Sequence, residues 1–487
     1  MPTLSFANSV RTAVKGSDAV VVIGPASTLA ADALPALFDP PVQRLTTDLA
    51  ALIKPGDLGA GGSTLTGASP GRIYVGVLPD KLSRYNTPTR AESIRRVIPA
   101  GDLGQYKKVA LILILDDPSH YLAAANAVGR AFPLFSAKGG NGSDLKLTIV
   151  AIDRHGETIK SNPRIAETME TTRAIASLVD TPPSDLNPET YAHEARQLLH
   201  GLKGVKIKEI VGDALVKQGL MGIHTVGRCA LAAPRMLIAS YTPAGKGASE
   251  RHVALVGKGV TYDTGGLNIK IQGAMPNMKC DMAGSAALLG AFRVLVASGC
   301  KHRVSLVLCI AENAIGPAAY KPDDIIRLHS GKTVEINNTD AEGRLLLADG
   351  VSYAARVLKA DTVIDAATLT GAQLVATGLQ HAAVVSNDDE VEKTFIAAGK
   401  ESGDLVHPLP FAPELFKAEF DSAVADMCNS VRNRANAQTA CAAQFVYWQI
   451  DDTGVKWCHI DLAGPAFPKN RATGFGVALV AQAVDDL

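Results

Sequence analysis

The sequence predicts an α/β protein of two domains, a smaller N-terminal one and a larger C-terminal one with a central, largely parallel sheet. Three observations carry that expectation. The chain has 487 residues, more than one ordinary hydrophobic core accommodates. Short apolar runs of strand length alternate with segments whose apolar residues recur at helical spacing. The turns between them are punctuated by Gly, Pro, Asn and Asp.

Taken in order, Ala19–Ile23, Ile73–Val77, Val109–Leu115 and Leu145–Ile152 read as buried strands, and Ala91–Val97 and Tyr121–Phe132 as helices. The Gly/Ser-rich stretches "GAGGSTLTGASPGR" (59–72) and "AKGGNGSD" (137–144) carry no Walker or dinucleotide pattern and read as hairpin loops. "HGETIKSNP" (155–163) marks a boundary, giving domains 1–160 and 161–487. A helix beginning after Pro163 carries Ile165, Met169, Ala176 and Val179 on one face and stops at "DTPPSDLNPE", where consecutive prolines cannot continue it. Strands at Val253–Val256, Val304–Cys309, Thr333–Ile336 and Thr362–Asp365 then alternate with helices at Ala283–Val296 and Leu345–Leu358. That is the pattern of a parallel sheet covered on both faces.

The composition is that of an ordinary globular protein, 47% hydrophobic and 20% charged. Lys plus Arg equals Asp plus Glu at 48 each, so net charge supports neither a general nucleic-acid surface nor a membrane surface. The longest evident apolar run, Val109–Leu115, is too short to span a bilayer. The N-terminus lacks the apolar core and small-residue cleavage site of a secretory signal. The seven cysteines form no CxxC pair, which predicts reduced thiols and a cytoplasmic setting.

Acidic residues collect where strands run into helices. In "VALVGKGVTYDTGGLNIK" (253–270) a strand leads to Lys258, Asp263 and Lys270. "MKCDMAGSAALLGAF" (278–292) places Asp281 ahead of a helix. "EINNTDAEGRLLLADG" (335–350) places Asp340, Glu342 and Arg344 at another, where Thr339 and Glu342 have the spacing of a capping box. Each residue alone has an ordinary explanation: Asp281 as an N-cap, Asp263 as a turn residue, the lysines and Arg344 as surface charge. Ligands of open α/β sheets, however, gather at the carboxyl ends of strands. Four carboxylates converging there repel one another unless cations neutralise them, and two divalent metals balance the charge. No HExxH and no G-x-S-x-G occurs, so neither a helical zinc motif nor a nucleophile elbow competes.

"NTDAEGRLLLADG", "GKGVTYDTGGLNIK", "MKCDMAGSAALLGAF" and "ATLTGA" (367–372) resemble, in order and spacing, the core segments of the leucyl aminopeptidases, the M17 metallopeptidases. The resemblance covers roughly residues 164 to 487. "AENAIGPAAYKPDDI" and "SGKTVEINNTDAEGRLLLADGVSYA" are similar to the animal aminopeptidase-like branch. It implies a smaller N-terminal macro-like α/β domain and a larger catalytic one, and a cytoplasmic hydrolase that releases N-terminal, mainly apolar residues from short peptides. It implies two divalent metals per chain, zinc, manganese or cobalt, bridged by Asp263 and Glu342. Asp340 would complete one site, and Lys258, as a neutral amine, the other with Asp281. Lys270 would steady the oxyanion, and Arg344 would hold a bicarbonate acting as base. Met278, Thr368, Leu369, Gly371, Ala463 and Ala466 would line the substrate cleft, and the assembly would be a homohexamer. The small Ala466, where leucine-preferring mammalian members carry a bulkier residue, argues for a broad preference. An inactive binding protein and a two-metal phosphoesterase are the competing readings.

Overall fold

The computed structural model describes residues 2–30, 33–139, 144–244, 249 and 251–487. Part of the 137–144 loop expectation therefore lies outside the described residues. The chain forms two compact units: residues up to Ala174 with Gly399–Leu405, and Ile175–Ala398 with Val406–Leu487. The division falls inside the helix Pro163–Asp180, rather than ahead of it at residue 160.

In the first unit six strands run in the order Thr3–Phe6, Lys146–Ile152, Lys108–Ile114, Ala19–Pro25, Arg72–Leu78, Ala60–Leu65, and Thr158–Ile159 also pairs with Lys146–Ile152. The inner pairs are parallel. Both faces of Ala19–Pro25 are buried, which accounts for its unbroken apolar run. The glycine-rich stretch is where the expectation of a loop fails. Ala60–Leu65 is an antiparallel edge strand on Arg72–Leu78. A Cβ at Gly61 would lie 3.3 Å from the Val75 carbonyl and one at Gly62 3.2 Å from Ile53, so the missing side chains admit close neighbours. The helix Pro40–Leu52 was not foreseen; it starts on two prolines, a pattern that suits a first turn.

The second unit is built on eight strands ordered Val406–Pro408, Ala382–Ser386, Lys456–Asp461, Thr362–Ala367, His252–Asp263, Arg303–Asn313, Arg235–Tyr241, Val205–Val211. The four central strands are mutually parallel, and antiparallel pairs appear toward both edges. One face carries the helices Pro188–Leu199, Ala283–Ala297 and Val477–Asp486, the other Met221–Gly227, Gly343–Arg356 and Gln438–Tyr447. The segment Met278–Ala297 is long and apolar enough to cross a membrane by composition, but 89% of its most apolar window is buried inside this unit. Its small residues have a packing reason. A Cβ at Gly284 would come within 2.3 Å of the Ala366 carbonyl oxygen, and one at Gly257 within 2.4 Å of Ser285 Cα. Glycine at both points lets the helix start lie directly on the sheet, and Asp281 just before it is delivered to the strand ends.

A candidate metal centre at the strand ends

The strand His252–Asp263 outruns its neighbour. Its pairing with Thr362–Ala367 ends at Gly257–Ala366, whereas pairing with Arg303–Asn313 continues to Asp263–Asn313. From Lys258 onward one edge is thus free of its parallel partner, and side chains from other elements converge on it. Asp281 arrives from the 3-10 turn Met278–Met282, and Asp340 and Glu342 from the loop ahead of the helix Gly343–Arg356.

Lys258 is 2% exposed. Its Nζ donates to Asp281 Oδ1 at 2.7 Å and to the Thr368 carbonyl at 2.9 Å, and lies 2.9 Å from Glu342 Oε1. Thr368 Oγ1 donates to the same Asp281 oxygen at 2.9 Å. Lys270 Nζ lies 2.6 Å from both Asp263 Oδ2 and Asp340 Oδ1. Carboxylate oxygens of Asp263, Asp340 and Glu342 all lie within 4.8 Å of one another. Four carboxylates and two ammonium groups leave two formal negative charges in a largely dehydrated space. The electrostatics register this. Burial, reinforced by Asp263, pushes the Glu342 carboxyl up to about 8. Burial raises Asp281 to about 6 despite Lys258 beside it, and raises Asp340 as well. Burial opposes the charge on Lys258, but Asp281, Glu342 and Asp263 outweigh it and hold the group above its ordinary value.

These residues fit a divalent metal. Hard oxygen donors predominate. Asp281 Oδ2 is buried without a hydrogen-bond partner, a state that is costly unless something else engages it. The excess negative charge is what a dication would cancel. Gly343 shapes the same space, since a Cβ there would stand 2.5 Å from Lys258 Cε and 2.7 Å from its Nζ.

The capping-box reading of Thr339 and Glu342 is overturned. The helix begins at Gly343 with Glu342 as its cap residue and no side-chain cap bond. Thr339 Oγ1 instead donates to the Gly265 carbonyl at 2.7 Å and accepts from Asn268 N–H at 2.7 Å, tying the Asp340 loop to the Lys270 loop. Asp281 is likewise not an N-cap, whereas Asp263 both ends a strand and makes the expected turn, its Oδ1 accepting the Gly265 N–H. Arg344 is not surface charge: it is 4% exposed, donates from Nη1 to the Asn429 carbonyl at 2.8 Å, and its guanidinium carbon stands about 6 Å from the rings of Phe420 (6.0 Å) and Phe445 (5.9 Å). Its Nε is buried and unpartnered, and burial lowers its pKa to about 10.

Among the residues expected to line a cleft, Thr368 joins the Lys258 cluster directly. Leu369 N–H and Ala463 N–H both donate to Asp461 Oδ1, at 3.1 and 3.2 Å. Gly371 caps the short helix Ala372–Ala376, Met278 begins the 3-10 turn that carries Asp281, and Ala466 is 3% exposed in the turn Ala463–Ala466. Asn313 was not anticipated. Its Nδ2 donates to Asp263 Oδ1 at 2.8 Å and to the Thr339 carbonyl at 3.1 Å, and Gly265 N–H adds a 2.8 Å bond to the same Asp263 oxygen. Asp263 Oδ1 is thereby held by two donors, and Oδ2 turns toward Lys270. Tyr320 steadies the Thr339 carbonyl from its hydroxyl at 2.7 Å.

Comparison with known proteins identifies the family of the chain. Residues 173–481 match the cytosol aminopeptidase family, catalytic domain, and residues 18–141 the M17 aminopeptidase N-terminal domain 2. The human protein named probable aminopeptidase NPEPL1 is 44% identical over 419 residues, spanning 83% of this chain and 78% of its own. The solved leucine aminopeptidase LAP1 of Caenorhabditis elegans superposes with a TM-score of 0.89 at 36% identity, over 99% of this chain and 98% of that one. The bottromycin maturation enzyme BotP, solved in complex with Mn, gives a TM-score of 0.77 at 28% identity, over 96% of this chain and 99% of its own.

Proposed function

The chain belongs to the cytosol aminopeptidase (M17) family and is a metal-dependent aminopeptidase, and from that premise we propose a two-metal enzyme that removes single, mainly apolar residues from the N-termini of short peptides. One observation carries the proposal: Lys258, Asp263, Asp281, Asp340 and Glu342 are drawn to one point, with an excess of negative charge.

In this reading Asp263 and Glu342 would contribute to holding both of two divalent ions, Asp340 would help hold one, and Asp281 with Lys258 the other. Zinc, manganese and cobalt all suit such a donor set. Bound there, the ions supply Lewis acidity that lowers the pKa of water toward ~7 and polarises the scissile carbonyl. Lys258 would bind as a neutral amine. The ammonium form is favoured by neighbouring carboxylates, and cations placed among those carboxylates reverse that preference. Lys270, already at the mouth of the cluster with 13% side-chain exposure, directs its charge at the oxygen that becomes anionic as the amide is attacked. Arg344, with a buried unpartnered Nε, would hold a small anion such as bicarbonate, which would supply a base. Met278, Thr368, Leu369, Gly371, Ala463 and Ala466 bound the pocket for the first side chain. Metals held there would also anchor a free α-amine, which would favour removal of one residue over internal cleavage. A cytoplasmic homohexamer completes the reading.

The test is direct. Purified protein is stripped, reloaded with Zn, Mn or Co, analysed for metal, and assayed on a panel of aminoacyl amides beside a phosphate ester. Two metals per chain and amide hydrolysis favouring apolar first residues are expected. Ester hydrolysis without amide hydrolysis, or metal-free protein of equal activity, overturns the proposal.

A further inference from the structure

Behind the cluster lies a buried acid that the reaction above does not use. Asp461 ends the strand Lys456–Asp461 and is fully buried. Its Oδ1 accepts from Leu369 N–H and Ala463 N–H, and its Oδ2 from Thr370 Oγ1 at 2.7 Å. Those donors come from separate segments. Leu369 and Thr370 follow Thr368, which holds Lys258 and Asp281. Ala463 opens the turn that ends at Ala466. Thr370 Oγ1 also meets Thr439 Oγ1 at 3.1 Å, which reaches the helix Gln438–Tyr447. His459, on the same strand, has Nδ1 2.5 Å from Asp365 Oδ1, while Trp457 Nε1 donates to Asp365 Oδ2 at 2.7 Å. His459 and Arg344 are the cations within electrostatic reach of Asp461.

We propose that Asp461 is the positioning residue of the substrate cleft, fixing through three hydrogen bonds the spacing between the Thr368–Thr370 segment and the Ala463–Ala466 turn, and so setting which first side chains are accepted. The proposal rests on the assignment of Leu369 and Ala463 to the cleft. A dehydrated carboxylate gathering two backbone N–H groups and a hydroxyl makes strong, directional bonds. Gln373 adds a second tie, its Oε1 accepting the Gly464 N–H at 2.6 Å and its own N–H donating to Thr370 Oγ1 at 3.1 Å, but it is Asp461 that holds Leu369 and Ala463 themselves. Loss of the Asp461 carboxylate releases Leu369, Thr370 and Ala463 together and leaves the Gln373 tie to Gly464 in place. Because Thr368 holds Lys258 and Asp281 by its own bonds, the metal cluster retains its geometry.

Asparagine is the discriminating replacement. Its Oδ1 accepts the same two N–H groups, and its Nδ2 donates to Thr370 Oγ1, whose proton then goes to Thr439. The bonds survive and the charge does not. The full-length, metal-loaded protein is compared with Asp461→Asn, Asp461→Ala and Thr370→Val. Kcat and KM are measured on leucyl, alanyl and phenylalanyl 4-nitroanilides, together with metal content and amide exchange at Leu369 and Ala463. Asp461→Ala should keep its metals, exchange faster at both amides, lose about tenfold or more in kcat/KM, and change its leucyl-to-alanyl ratio by about threefold or more. Asp461→Asn should recover most of that loss. Thr370→Val should move the ratio in the same direction, and it decides the matter if Asp461→Ala does not fold. An unchanged ratio, or Asp461→Asn as damaged as Asp461→Ala, overturns the proposal. A parent protein with no amide hydrolysis at all instead overturns the functional reading on which it rests.

Discussion

Replacing Gly343 by alanine adds one methyl group, and its effect should reach the reaction through Lys258. In an exposed helix this change is favourable by ~1 kcal/mol. Here the new Cβ would stand 2.5 Å from Lys258 Cε, 2.6 Å from Cδ and 2.7 Å from Nζ. Carbon atoms in contact rest about 3.5–4.0 Å apart, so the lysine must retreat by about 1 Å. It has no free direction, being 2% exposed and fixed to Asp281, Glu342 and Thr368 at 2.7–2.9 Å. A shift of that size stretches those contacts beyond good hydrogen-bond length. At a reacting centre a misplacement of about 1 Å costs about a hundredfold in rate. Gly343→Ala should therefore lose about a hundredfold in kcat/KM on leucyl 4-nitroanilide and hold one metal weakly, with little change in Tm. A second cycle removes ambiguity. In a Lys258→Ala background the clashing atoms are gone, so adding Gly343→Ala should change metal content and residual rate by less than about twofold. If Gly343→Ala retains two metals and a kcat/KM within about twofold of the parent, the placement of Lys258 at the metals is refuted.

Lys258→Arg keeps a cation but cannot supply a neutral donor, so it should retain about one metal per chain by elemental analysis and lose most activity. Lys270→Ala should keep both metals while kcat falls about a hundredfold and KM changes little, the pattern of a group acting on transition-state charge. Ala466→Met should move preference on an aminoacyl amide panel toward smaller first residues, by the ~1–3 kcal/mol that a methylene-scale change in a pocket commands. His459→Gln should cost more Tm at pH 6 than at pH 9. Burial opposes the charge on this imidazole, but Asp365 more than compensates and raises its pKa. Its contribution is thus complete below the free value near ~6.5 and is lost as pH rises through the folded value, which thermal melts across that range would record.

Periodicity located strands such as Ala19–Pro25, Lys108–Ile114 and Thr362–Ala367 and the helices Ala283–Ala297 and Gly343–Arg356, but not the central strand Lys456–Asp461 or the helices Pro40–Leu52 and Asp389–Ser402. Ala91–Val97 and the helix after Pro163 were legible because burial of one face imposes a spacing that no local chemistry disguises. The acids at the strand ends were legible too, since Asp263, Asp281, Asp340 and Glu342 accumulate where an α/β sheet presents its ligands. What the sequence could not decide is what each acid faces. Thr339 and Glu342 have the spacing of a capping box, yet Thr339 is taken by Gly265 and Asn268, 74 and 71 positions away in the chain, and only folding brings those groups close. Asn313 and Asp461 carry no local signal at all. One is the register partner of Asp263 at a strand end, the other the meeting point of two cleft segments, and both roles exist only across strands. The glycine-rich edge strand escaped for a related reason: its neighbours, not its own side chains, make Ala60–Leu65 extended. Residue types and spacing determined the chemistry available. Tertiary contact decided which groups are dehydrated together: that dehydration raises Glu342, the gathered carboxylates hold Lys258 charged against it, and scattered acids become a cluster with the donors a divalent ion needs.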